Sequence, residues 1–220
     1  MANLLVTGGI VMVPLLLFSL LTLALAVERA RFWWHLQRQQ RPWLAAVLAT
    51  YADQPQRALA LLKQRPDSPM ARILRAALSL EDATPEEFSL ALETAAQAEV
   101  PQLKRFQTWF ETVVGIAPLL GLLGTVLGLM EALSSLSLGE GGNETGVTLG
   151  VGEALTSTAV GLVVAMVALL FANLFQGLYR RQRALIQETG GKLEILQRRH
   201  YRQTLGQGTA NVHGGDLAAP

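Results

Sequence analysis

Gly115-Ile-Ala-Pro-Leu-Leu-Gly-Leu-Leu-Gly-Thr-Val-Leu-Gly-Leu-Met130 carries no charge, and the uncharged run begins at Thr112. About 20 apolar residues in helical form cross the hydrocarbon core of a bilayer, so this stretch predicts a membrane span over 112–135. Gly121, Gly124 and Gly128 recur at i, i+3 and i+7, which lines them up on one stripe of a helix. Lipid gives helices no hydrophobic reason to associate, and a glycine stripe lets two backbones approach closely enough to gain contacts. The stripe is therefore expected to set packing, between subunits in the first instance, with Pro118 as a local bend turned toward protein. Thr125 lies on the same side. Its hydroxyl has three outlets: a carbonyl one turn back in its own helix, a neighbouring helix, or water in a pore.

Outward from this stretch, two further charge-free runs appear. Ile10–Val27 predicts a first span within 1–28, and Ala154–Tyr179 predicts a third within 153–179. The first run has no basic residue before it and a basic cluster after it (Arg29, Arg31, Arg38, Arg41), which favours an uncleaved anchor over a signal peptide. Pro14 is expected to kink or loosen that span, and Trp33 and Trp34 suit a membrane interface. Residues 29–111 read as a hydrophilic helical insert, with Pro42, Ser68-Pro69 and Thr84-Pro-Glu-Glu87 as helix starts. The last is a capping box, Thr84 at the N-cap, Pro85 at N1 and Glu87 at N3. The glycine-rich segment 136–152 predicts a short flexible loop; it lacks the Gly-Lys-Ser/Thr ending of a phosphate loop. Residues 180–205 predict a helical tail with a possible bend at Gly190-Gly191, and 206–220 predict disorder.

Charge then fixes an expected topology. All 18 Lys and Arg residues fall within 28–105 and 180–202, and none falls before residue 28 or within 131–153. The positive-inside rule puts both basic segments in the cytoplasm and the N-terminus outside. The expected fold is thus an all-α integral membrane protein: three transmembrane helices with long cytoplasmic helical extensions and the C-terminus inside. A net charge of +1 gives no reason to expect nucleic acid. Cysteine is absent and the three histidines are scattered, so neither thiol chemistry, a metal site nor another cofactor is expected. No nucleophile–base grouping points to an enzyme. The unusual polar positions near the spans are Glu131, Glu153, Thr156, Ser157, Thr158 and Asn173. Ionisable groups at membrane depth usually face a bundle interior or a water path, so Glu153, with Glu131 and Asn173 behind it, is a candidate. What remains is a conduit or a scaffold.

Two motifs carry a resemblance. Ala117-Pro-Leu-Leu-Gly-Leu-Leu-Gly-Thr-Val-Leu-Gly128 resembles the second-span signature of the MotA/TolQ/ExbB proton-channel family. Glu153-Ala-Leu-Thr-Ser-Thr-Ala-Val-Gly-Leu-Val-Val-Ala165 resembles its third-span signature, Glu-Ala-Leu-x-x-Thr-Ala-x-Gly-Leu-x-x-Ala. Pro14-Leu-Leu-Leu-Phe-Ser19 followed by Glu28-Arg29 is similar to the first span of the ExbB and TolQ branches. The resemblance implies a multi-pass protein of the bacterial inner membrane, closest to the ExbB branch. It implies a homopentamer around a dimer of a single-span ExbD/TolR-type partner, coupling proton-motive force through a TonB-type transducer to outer-membrane transport. Thr125 and Thr158 would then be pore threonines and Glu153 the third-span glutamate, with Gly161 joining Gly121, Gly124, Gly128 and Pro118 in helix packing. A TolQ-like role in envelope maintenance, or a membrane scaffold that conducts nothing, are the alternatives. Two departures stand out: Ala165-Met166-Val167 replaces the family's Ala-Ile-Pro, and Glu131 adds a carboxylate where a neutral group is common.

Overall fold

The computed structural model describes residues 9–38, 40–80, 83–137 and 144–215. Among them the secondary structure is entirely helical: α1 (Met12–Gln37), α2 (Gln40–Asp53), α3 (Pro55–Lys63), α4 (Pro69–Leu78), α5 (Pro85–Leu103), α6 (Gln107–Ser137) and α7 (Glu144–Gly215). Two compact units result, one comprising the chain through Phe32 with Arg105–Leu178, the other Trp33–Lys104 with the chain from Tyr179 onward.

The first unit contains three helical stretches long and apolar enough to cross a membrane. Val11 just before α1, Leu15 of α1, Val113 and Ala117 of α6, and Val164, Ala165 and Ala168 of α7 form its buried core. Phe110 is fully buried, its ring 5.5 Å from that of Phe175, and Phe18 meets Trp109 at 5.6 Å. Only 28% of each apolar window is buried by the chain itself. The outward faces carry Ile10, Leu20, Leu119, Leu133, Leu155 and Leu170, and a helix apolar all round belongs in lipid or against other protein.

Pro14 falls in the first turn of α1, where the missing N–H had no helical partner to lose. The expected kink therefore has no cause there. α6 continues through Pro118, which is half-buried. Just before α6, Phe106 takes a φ of 65°, turning the chain where the sequence suggested a direct run into the span.

Two boundaries differ from expectation. The segment expected to be a loop over 136–152 is helical on both sides: α6 ends at Ser137 and α7 begins at Glu144, and 138–143 lie outside the described residues. Of its described glycines, Gly150 serves close packing, whereas Gly152 has nothing within 4 Å. The tail expected to be disordered from Gly206 continues α7 to Gly215, with 216–220 outside the described residues. Extending an existing helix adds a bond for each residue fixed, whereas starting one is the costly step. The helix is likewise continuous through Gly190 and Gly191.

The second unit buries Leu44, Val47, Tyr51, Leu62, Met70, Ile73, Leu74, Phe88 and Leu92 around Leu193 of α7. The capping box at α5 is complete: Thr84 Oγ1 accepts from the Glu87 N–H at 3.3 Å, and a Glu87 carboxylate oxygen accepts from the Thr84 N–H at 2.9 Å. The Thr84 N–H, with the Thr84 hydroxyl donating to the same carboxylate oxygen at 2.9 Å, holds the Glu87 carboxyl below its ordinary range. Arg72 of α4 grips Glu99 of α5 through two bonds of 2.6 Å each, a bidentate pair that ties the two helices together.

Candidate functional site

The site is a seam between α6 and α7 made by two facing rows of small residues. Ala117, Gly121, Gly124, Gly128 and Ala132 supply one row, and Gly150, Ala154, Ser157 and Gly161 the other. The partners run in opposite order, so the helices are antiparallel here. A Cβ added to Gly121 would come within 3.0 Å of the Ser157 carbonyl oxygen and of Thr158 Cα. One added to Gly161 would meet the Ala117 carbonyl oxygen at 2.6 Å. Gly128 and Gly150 face each other, each Cβ position 2.7 Å from the other residue's carbonyl oxygen. At Gly124 the space of the missing side chain is filled by the Ser157 hydroxyl, with Val11, just before α1, at 3.7 Å.

Two conclusions follow. The stripe expected to set subunit packing is occupied by the chain's own third span. Gly150, read from sequence as loop flexibility, is the outermost member of a small-residue row and permits backbone contact.

Two hydroxyls reach across this seam. Thr158 Oγ1 donates across it to the Gly121 carbonyl at 3.0 Å. Ser157, fully buried, donates to the Ala154 carbonyl at 2.9 Å and lies 3.3 Å from the same Gly121 carbonyl. Thr125 donates back to the Leu122 carbonyl at 2.6 Å, the in-helix outlet. Thr125 and Thr158 thus sit on the successive carbonyls of Leu122 and Gly121 without bonding each other. Thr156 bonds the Gly152 carbonyl at 2.8 Å within its own helix.

Glu153 is half-buried, and its carboxylate occupies the place where a side chain on Gly9 would begin. Gly9 has a φ of 64°, in the region that glycine alone enters freely. Glu131 and Asn173 are exposed. Sequence reasoning passed over Ser157 as a site residue and missed Gly9 altogether. Ser157 had a signal, the spacing Gly150–Ala154–Ser157–Gly161. Gly9 had none, because its partner lies far along the chain.

Comparison with known proteins follows the same seam. Residues 65–188, which contain both small-residue rows, match the model of the MotA/TolQ/ExbB proton channel family. The chain is similar to biopolymer transport protein ExbB-like 3 of Synechocystis sp., 57% identical over 198 residues, covering 89% of this chain and 94% of that protein. It is 38% identical over 194 residues to ExbB-like 1 of the same organism, covering 87% of this chain and 76% of that one. The Tol-Pal system protein TolQ of Haemophilus influenzae is 32% identical over 117 residues, 53% of this chain and 50% of TolQ.

Proposed function

This chain belongs to the MotA/TolQ/ExbB proton channel family, and from that premise we propose that it is the ExbB-like channel and stator subunit of an inner-membrane energy-transducing complex. In this reading it forms a homopentamer around a dimer of a single-span ExbD/TolR-type partner. Proton-motive force reaches outer-membrane transport through a TonB-type transducer. The observation that carries the reading is the seam, where the second-span and third-span signatures meet and Thr125 and Thr158 bond adjacent carbonyls. α6 and α7 line the proton path, Thr125 and Thr158 face it, and Glu153 stands at its outer mouth. The one-sided Lys and Arg distribution supports a cytoplasmic insert and tail with the N-terminus outside. The ExbB-like branch is favoured over TolQ because the two ExbB-like relatives align along 89% and 87% of the chain, against 53% for TolQ.

The direct test replaces Thr158 by Val, which nearly preserves volume while deleting the hydroxyl. The complex, sized by mass measurement after gentle extraction, should remain whole, and energy-dependent uptake by cells should fall at least tenfold. Thr156→Val, on a hydroxyl bonded only within its own helix, should leave uptake unchanged. Normal uptake by the Thr158→Val strain would end the pore assignment. A chain that extracts without any single-span companion would favour a scaffold.

A further inference from the structure

A groove of about 560 Å³ runs between α5 and α7 in the second unit, with Ile73 of α4 also lining it. The two helices are antiparallel along it. Ser89 Oγ donates to Glu194 at 3.0 Å near one end, and Lys104 Nζ lies 4.9 Å from the centre of the Tyr179 ring at the other. From Tyr179 to Glu194 the helix covers ~22 Å, at ~1.5 Å per residue. Leu92, Ala96, Val100, Leu103 and Ile186 join Ile73 as the apolar lining. Two glycines leave the α7 wall bare. Gly190 and Gly191 lie inside α7, where glycine costs helix stability. Backbone contact accounts for the seam glycines but not for these. A Cβ on Gly191 would meet nothing within 4 Å, and one on Gly190 would meet only Leu92 Cδ1 at 4.0 Å. Their missing side chains keep the groove clear.

Three charged side chains line the groove, and two of them are committed. Glu194 accepts from Ser89, and Glu93 accepts from Gln97 Nε2 at 3.3 Å. Arg183 is exposed and bonds no other described residue. It stands one turn from Tyr179, which closes the charge-free run Ala154–Tyr179, and Lys104 adds a second cation at that end. The uncommitted charge of the groove is therefore positive and lies at the end where α7 leaves its apolar run. From this polarity we propose that the groove binds one long-chain fatty acid, with its carboxylate on Arg183 and its chain laid along the apolar lining past Gly190 and Gly191. A guanidinium meets a carboxylate through two parallel bonds. One leaflet of a bilayer is ~15 Å of hydrocarbon, so a chain of membrane length fits the groove lengthwise. A helix of the same length, ~10 Å across, would take up roughly three times the space. None of these residues takes part in the α6–α7 seam, so the site stands or falls without the proton path.

Mass measurement of the intact, gently extracted protein with added palmitate tests the site. Each copy of the chain should take up one palmitate. Gly191→Leu puts a side chain into the open space, and the palmitate needed for half-occupancy should rise at least tenfold. Arg183→Gln should raise it about tenfold by removing the charge-assisted bonds, and Arg183→Lys by less. Hexadecanol, with the same chain and no carboxylate, should bind wild type about as weakly as palmitate binds Arg183→Gln. Palmitate uptake unchanged in Gly191→Leu would place the fatty acid elsewhere and overturn the proposal. Uptake lost in Gly191→Leu but unchanged in Arg183→Gln would overturn it as well, since the head would then lie away from the arginine. Phosphatidylglycerol retained more tightly than palmitate, and lost in the same variants, would replace the fatty acid by a phospholipid. A wild type that ignores palmitate, with a Gly191→Leu complex that falls into single chains, would show that the groove seats a second copy. Should Gly191→Leu fail to fold, Arg183→Gln and hexadecanol decide, because Arg183 is exposed.

Discussion

Gly9 shows what a single missing side chain does at the end of the spans where α1 begins. Its φ of 64° costs an alanine about 1–2 kcal/mol, and the new Cβ would also strike the Glu153 carboxylate. Gly9→Ala should therefore destabilise the folded chain, measured as loss of thermal stability in detergent. Adding Glu153→Ala should recover the steric part and leave the backbone part. Equal losses with and without the Glu153 side chain would show that the two residues are independent. A second pair sits deeper. Gly124→Ala pushes a methyl group into Ser157, at about 1–3 kcal/mol for overpacking, and Ser157→Gly in the same chain should restore most of it. Failure of that rescue would mean that the strain at Gly124 comes from some other neighbour. Neither pairing could be read from the sequence, since both join residues that only the fold brings together. Thr125 and Thr158 could be singled out by motif, but the bond of Thr158 to the Gly121 carbonyl is a property of the seam.

Glycine in a helix has two opposite meanings, and the elements of this chain contain both. Gly150 and Gly161 lie where a Cβ would meet backbone at under 3 Å, whereas Gly152 and Gly177 have nothing within 4 Å. Alanine at Gly150 or Gly161 should cost about 1–3 kcal/mol, and alanine at Gly152 or Gly177 should be neutral or gain up to about 1 kcal/mol of helix propensity. Unfolding of the extracted chain in denaturant measures the contrast, and a Gly150→Ala chain as stable as a Gly177→Ala chain would place the helix contact elsewhere. The three spans were legible because a charge-free run of that length has few other uses. The reach of α7 was not, because a row of glycines gives the same local signal in a loop and in a tight helix contact. The start of α5 was legible to the residue, since a capping box is a local device. Its pH response follows by sign. Glu87 is held below its ordinary range by Thr84, so its contribution is present above the unfolded value and lost as pH falls through the folded one. Protection of the first-turn amides of α5, measured by exchange relative to the unfolded chain at the same pH, should therefore fall in acid, and Glu87→Gln should flatten that dependence. A dependence that persists unchanged in Glu87→Gln would assign it to another carboxylate.

At the scale of the molecule, the distribution of charge makes the strongest forecast. Cysteines introduced at Ser68 and at Thr148 should be labelled by an impermeant reagent from opposite faces of the membrane, because every Lys and Arg lies in segments on the Ser68 side. Labelling of both from one face would end the three-span topology. Family membership was also legible, as the two signatures lie in the spans themselves; what the insert contributes beyond its own core was not, because most of its apolar positions pack into that core while Leu80 and Leu90 stay exposed. One further consequence belongs to the seam. Sliding α6 past α7 would bring side chains where Gly128 meets Gly150 and Gly161 meets Ala117, sites with room for none. The pair is accordingly stiff in shear and moves as one stave. Any working stroke in which this chain takes part has to be taken up at the edges of that stave, where it meets lipid or another subunit, and a ligand meant to jam the machine should wedge there and leave the joint between the two helices alone.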